Sequence, residues 1–211
     1  MRLRLFLVFV FASGVLFAQS KEEVALNNQA VSLMDDGNYQ EALAYLDKLT
    51  ASDENNVVYR YNRAVTLFNL KKYREALSEY KFLNTLLPEQ SEYVFQIGNA
   101  YEQLDSLQQA ITFYSKAIEI DSDHFIYFFK RGTLRLKQNR LQDAVTDFTA
   151  SIELHPKHHN SLHNRGIALF KQGKEQKACE DWCEAVQLGN VYSKSHLSQN
   201  CHKSHPCIPV K

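Results

Sequence analysis

Two cysteines one helical turn apart, Cys179 and Cys183 in "KACEDWCEAVQLG", are followed by Cys201 and Cys207 in "NCHKSHPCIPVK". Thiols grouped in this way can pair as disulfides, hold a metal ion, or cycle between redox states. A thioredoxin-like redox centre fails on spacing, since C-x-x-x-C replaces C-x-x-C and no βαβ pattern surrounds it. A metal-binding or metal-responsive site could draw on the four sulfurs with His202 and His205, although the spacing matches no zinc pattern. Disulfides are favoured by the even number of cysteines and by the N-terminal leader. That leader, "MRLRLFLVFVFASGVLFAQS", has a basic start, an apolar run and a small residue for cleavage after Ala18. Residues 1–18 therefore read as a signal peptide and 19–22 as the lead-in of the mature chain. The apolar run falls short of the roughly 20 residues that a spanning helix needs. No membrane span is expected after cleavage, and the address is extracytoplasmic, periplasmic or secreted.

The histidines of "HPKHHNSLH" form the second cluster, with His159 and His163 on one helix face at i, i+4. Without the carboxylate of H-E-x-x-H they lack a base and read as surface or groove residues. Glu102 and Asp105 stand at helix and loop positions where a solvated face is the ordinary outcome. No nucleophile elbow, P-loop or Gly-rich dinucleotide turn occurs, and seven glycines leave little room for one. The formal net charge is +0 with no basic run, so nucleic acid is not an expected partner. The residues point away from catalysis, and no cofactor is expected.

What positions these side chains is a repeat. Ala42, Ala76, Ala110, Ala144 and Ala178 are spaced 34 residues apart without insertion or deletion. Twelve residues before each stands a small residue: Ala30, Ala64, Gly98, Gly132 and Gly166. Four residues after each stands a large apolar one: Leu46, Tyr80, Tyr114, Phe148 and Trp182. Within each unit the apolar pattern i, i+3, i+4, i+7 appears twice, as in "YVFQIGNAYEQL" and "QQAITFYSKAIEI", which predicts two amphipathic helices. Turn residues such as "DDGNY" and "KQGKE" separate the pair, and Pro88, Pro156 or "LGN" follow it. The small residue lets the second helix approach the first. Only seven Gly and four Pro argue further against an all-β fold.

These columns, above all Ile97-Gly98, Tyr101, Ala110, Tyr114 and Ala117, resemble the tetratricopeptide repeat family over residues 23–190. The resemblance implies an all-α, right-handed α-solenoid of five helix-turn-helix repeats (23–56, 57–90, 91–124, 125–158 and 159–190) with a concave groove lined by the first helices. The first unit departs most, as suits a terminal repeat. The stretch "ACEDWCEAVQLGN" also resembles tails of exported, Bacteroidota-like members, consistent with a periplasmic address.

Arginine stands thirteen residues before the alanine in three units, as Arg63, Arg131 and Arg165. The same units carry an acid three residues after it, Glu79, Asp147 and Asp181, where the third unit has Ile97 and Phe113 instead. We read these as structural ion pairs between the two helices of a unit, suited to the planar guanidinium fork. The frame also places a capping helix at about 191–200, within a last segment of 191–211. Four cysteines permit three connectivities. An i, i+4 bridge within one helix is geometrically poor. Cys179–Cys201, tying the cap to the last unit, and Cys183–Cys207, holding the tail, are therefore favoured.

By the repeat geometry the groove presents Tyr61, Asn62, Phe68, Phe95, Asn99, Phe129, Lys130, Lys137, His163 and Phe170. Aromatics beside amides suit an extended peptide or protein segment. Related domains that grip chaperone C-termini use a Lys, Arg and Asn cluster; here lysines gather only in units four and five, which speaks against that role. The expectation is a non-catalytic scaffold or adaptor for a protein partner, with self-association through the groove a further possibility.

Overall fold

A computed structural model describes residues 21–201 together with Cys207. The signal-peptide reading of residues 1–18 and the ligand candidates His202 and His205 lie outside the described residues. Among the described residues the chain forms eleven helices and no strand. They are α1 (Lys21–Asp35), α2 (Tyr39–Ser52), α3 (Val57–Asn69), α4 (Tyr73–Leu86), α5 (Ser91–Gln103) and α6 (Leu107–Ile120). Then follow α7 (Phe125–Lys137), α8 (Leu141–Leu154), α9 (His159–Lys171), α10 (Glu175–Gln187) and α11 (Ser193–Asn200). None is long and apolar enough to cross a membrane.

Each first helix ends in the same way. The residue five before the repeat alanine, namely Gly37, Lys71, Asp105, Asn139 or Gly173, has a positive φ between 54° and 77°. The next amide then reaches back five residues, as Lys72 N does to Leu67 O at 2.9 Å and Lys174 N to Leu169 O at 2.9 Å. This is a Schellman-type stop, which satisfies carbonyls the helix end would leave orphaned. Pro88 and Pro156 follow the ends of α4 and α8, where a proline cannot continue the helix. The start of α3 is fixed by Asn56, whose side chain accepts from the amides of Val58 and Tyr59.

Every helix packs on its successor, and some first helices also touch across units, α1 on α3 and α7 on α9. The solenoid core is built from the repeat columns. All five column alanines are 0% exposed, and Leu46, Tyr80, Tyr114, Phe148 and Trp182 are at most 1% exposed. Burying a side chain of this size stabilises by about 1.5–3 kcal/mol. The small-residue column is a contact of backbone with ring. A methyl added at Gly98 would stand 2.7 Å from the Tyr114 ring, and at Gly166 2.5 Å from the Trp182 indole. The capping helix starts at Ser193, two residues later than the frame indicates, because Asn190 shapes the turn before it. Its Oδ1 accepts from Ser193 N at 2.9 Å and from Ser193 Oγ at 3.1 Å.

Candidate functional site

The arginines and acids of units two, four and five meet across their helix pairs. Arg63 contacts Glu79, Arg131 Nη2 lies 2.7 Å from Asp147 Oδ1, and Arg165 Nη2 lies 2.7 Å from Asp181 Oδ1. Arg165 is bidentate, its Nε reaching Asp181 Oδ2 at 2.8 Å. The bond to Asp181 holds the Arg165 guanidinium above its ordinary range, while burial pushes the Asp181 carboxyl up against that pull. Buried charges of this kind persist only when paired and hydrogen-bonded. In each node the charges meet across the two helices of one unit.

Sequence reasoning missed two parts of these nodes. A second arginine joins two of them, Arg60 Nη1 on Glu79 at 2.7 Å and Arg135 Nη1 on Asp147 at 2.8 Å. Each column arginine also reaches back to the preceding unit. Arg63 Nε donates to Asp47 at 2.6 Å, Arg131 Nη1 to Ser115 Oγ at 3.0 Å, and Arg165 Nη1 to Thr149 Oγ1 at 3.2 Å. All three acceptors stand five residues after their unit's alanine. Where the next unit lacks the arginine, that place holds Lys81, which donates instead to Tyr101 Oη at 2.8 Å. The signal was present as a covarying column. In the third unit Ile97 is 1% exposed, and Phe113 stacks on Tyr101 at 5.4 Å. In the first, Gln29 donates to Tyr45 Oη at 3.0 Å.

The residues expected in the groove all lie on first helices, but they do not form one equivalent row. Tyr61, Phe68, Phe129 and Phe170 are half-buried, each lodged against a neighbouring ring (Tyr93 at 5.9 Å, Tyr73 at 5.2 Å, His158 at 4.8 Å and Trp182 at 5.6 Å). Burial, with Glu92 beside it, pushes the Tyr61 hydroxyl up to about 12. Phe95 is a correction: only 7% exposed, it sits between Tyr114 at 5.4 Å and Tyr127 at 4.5 Å. It belongs to the core, because the third and fourth units close around it with aromatics.

The polar members bond both within a unit and between units. Asn62 Nδ2 donates to Asn27 Oδ1 at 3.1 Å, and Asn164 Nδ2 to Thr133 Oγ1 at 3.4 Å. Asn99 Oδ1 accepts from Tyr114 Oη at 2.8 Å, and Lys130 Nζ donates to Glu102 Oε2 at 3.1 Å. Lys137 stands exposed, 3.6 Å from Asp105. His163 is engaged by the cap: Nδ1 is 2.8 Å from Ser193 Oγ and the ring 5.3 Å from that of His196. Burial, with His196 and His159 nearby, holds its pKa below the ordinary value.

At the C-terminal end Cys179 is joined to Cys201 and Cys183 to Cys207, with Cα–Cα separations of 5.8 Å and 5.6 Å that suit a disulfide. The first bridge is nearly buried beside Leu197. The cap adds His196, which stacks on Trp182 at 4.8 Å. With all four sulfurs engaged, a metal site drawing on all of them would require both bridges to be reduced.

Comparison with known proteins agrees with this geometry. Residues 91–124 and 129–190 match tetratricopeptide repeat models, and residues 10–83 match the model described as anaphase-promoting complex, cyclosome, subunit 3. No curated protein sequence matches the chain. Among solved structures, a MamA double mutant from strain RS-1 superposes with a TM-score of 0.75 at 15% identity, over 86% of this chain and 100% of the other. MamA from Desulfovibrio magneticus RS-1, residue 41 to its end, gives 0.74 at 16% identity, over 81% and 97%. The protein YrrB, described as "a TPR protein with an unusual peptide-binding site", gives 0.69 at 20% identity, over 86% and 95%. At such identities the likeness speaks for the fold. Helix pairs recurring every 34 residues, a glycine packed under a ring in the third, fourth and fifth, and the matched repeat models together establish that this chain carries tetratricopeptide repeats.

Proposed function

We propose that the chain is a non-catalytic scaffold that binds an extended segment of a protein partner along its first-helix face, outside the cytoplasm. The observation that carries this reading is the set of half-buried rings on first helices, Tyr61, Phe68, Phe129 and Phe170, with the amides Asn62, Asn99 and Asn164 likewise on first helices. Half-buried aromatics on a rigid support supply contact area at low entropic cost, and amides can pair with an extended backbone. The YrrB relative, described as having a peptide-binding site, supports the reading through the shared fold. The extracytoplasmic address rests on the leader sequence and on cysteines that pair as disulfides, which persist in oxidising compartments.

The test is capture of partners from envelope extract with the wild type and with Tyr61→Ala/Phe129→Ala, two half-buried rings whose loss leaves the core columns intact. Loss of specific partners in the variant is expected. Identical capture by both proteins would move the binding surface elsewhere.

A further inference from the structure

The hairpin topology sorts the ends of the helices onto two edges. Starts of first helices and ends of second helices share one edge, and the turns within units share the other. All eight large apolar side chains that are exposed among the described residues fall on the first of these. Val24 and Val58 stand in the opening turns of α1 and α3, while Val191 and Tyr192 follow α10. Leu86, Ile120 and Leu154 are the final residues of α4, α6 and α8, 34 residues apart, with exposures of 38%, 37% and 41%. Leu87 adjoins the first of these at 39%. Single exposed apolar residues need no explanation, but confinement of these eight to one edge, five of them in repeat register, does.

The charge on this edge selects an occupant. Asp53, Glu54, Glu89, Glu119, Asp123 and Glu153 are exposed around the apolar row. Of the nearby cations, Arg60 is held by Glu79 and Lys116 lies over the Phe113 ring; Lys21, Lys48, Lys157 and Lys194 are exposed, but the six carboxylates outnumber them. A second copy laid edge to edge would bring acid against acid, and an anionic bilayer would be repelled. The spacing also fits a helix. α4 packs on α5 and α5 on α6, so the row's second helices succeed one another at between one and two interhelix distances, ~10–20 Å. Residues seven and eleven apart on a helix, which share one face, recur about every 10 and 16 Å.

We propose that the inter-unit edge, centred on Leu86, Ile120 and Leu154, is a docking surface for a cationic amphipathic helix of a protein partner. It is separate from the first-helix face. Apolar side chains on one face of that helix lie along the leucine and isoleucine row, and flanking Lys or Arg residues face the carboxylates.

The probe is a fluorescent leucine/lysine amphipathic peptide of about 18 residues, five helical turns. Its counterpart carries glutamate in place of every lysine. Anisotropy titrations use the full chain, Leu86→Ser/Ile120→Ser/Leu154→Ser, and Glu89→Lys/Asp123→Lys, with circular dichroism confirming that each variant folds. The lysine peptide should bind the wild type, bind the triple serine variant about tenfold or more weakly, and lose preference over the glutamate peptide in the charge-reversed one. Tyr61→Ala/Phe129→Ala should bind it as the wild type does, so this test and that of the first-helix face fail independently. Equal binding of the glutamate peptide, no effect of the serine variant, or loss only in the Tyr61/Phe129 variant would overturn the proposal. So would association with phosphatidylglycerol vesicles, or a dimer abolished by the serine substitutions.

Discussion

Arg131 and Asp147 meet fork to fork: Nη2 lies 2.7 Å from Oδ1 and Nε 3.1 Å from Oδ2, with the carboxylate side chain 1% exposed. Arg135 approaches Oδ2 of the same carboxylate at 2.8 Å. One buried acid therefore serves two guanidiniums, and the node is asymmetric. Asp147→Ala strands two cations and should cost about 3–5 kcal/mol, the range for breaking a buried pair. Arg131→Ile leaves Asp147 with Arg135 and should cost less. Copying the third unit takes three changes, Arg131→Ile, Arg135→Tyr and Asp147→Phe, and this variant should recover much of the loss. Urea denaturation of the three proteins checks the order; a triple variant weaker than Asp147→Ala would contradict it.

Gly166 and Trp182 share space that admits no added methyl, since a Cβ there would lie 2.5 Å from the indole nitrogen. Gly166→Ala should destabilise by about 1–3 kcal/mol through overpacking. Combined with Trp182→Leu, which imitates the Ala30 and Leu46 pair of the first unit, its cost should shrink, giving a favourable coupling in a double-mutant cycle. Additive losses in thermal melts would mean that the ring can move aside.

Lys71 occupies the left-handed turn position with φ 61°, where the first and fifth units have glycine at φ 76° and 77°. A side chain in that region costs about 1 kcal/mol. Lys71→Gly should therefore stabilise by up to about 1 kcal/mol, and Gly173→Ala should destabilise by a similar amount. Chemical denaturation midpoints at constant slope measure both.

His158 is enclosed by Phe125, Phe129 and Ser161, with Nδ1 2.7 Å from Ser161 Oγ. Burial first, then His155 and His159, lower its pKa to about 4 from 6.5. The unfolded chain binds this proton more readily than the folded one. The contribution is thus complete above about pH 6.5 and is lost as the pH falls toward 4. His158→Asn keeps an acceptor for Ser161 but does not titrate. Its melting temperature should fall less between pH 6.5 and 4 than that of the wild type, and parallel curves would assign the acid sensitivity to other groups.

The helix pairs were legible because each depends on local periodicity and on turn residues whose backbone preferences act within five residues. The alanine columns, the ring at Trp182 and the stop at Gly173 are cases of this kind. Arg131 and Asp147 were legible too, since both charges recur in the same units. Arg135 escaped notice because its column holds Leu67, Tyr101 and Leu169 in other units, so no repeat marked it. Phe95 shows the opposite failure. It occupies a groove position by count, yet Tyr114 and Tyr127 close over it, and helical phase cannot report how deeply a neighbour's ring reaches.

The amino-acid sequence by itself determined the units, their 34-residue register and the small-to-large packing column, because these arise from contacts within a hairpin that every unit repeats. Tertiary structure alone decided what the repeats differ in. It set which acid takes two arginines, which ring sinks into the core, how the cap rests on His163 and Trp182, and that the exposed apolar residues gather on one edge. Each of these depends on how separate helices are placed in space, at distances that spacing along a chain does not encode.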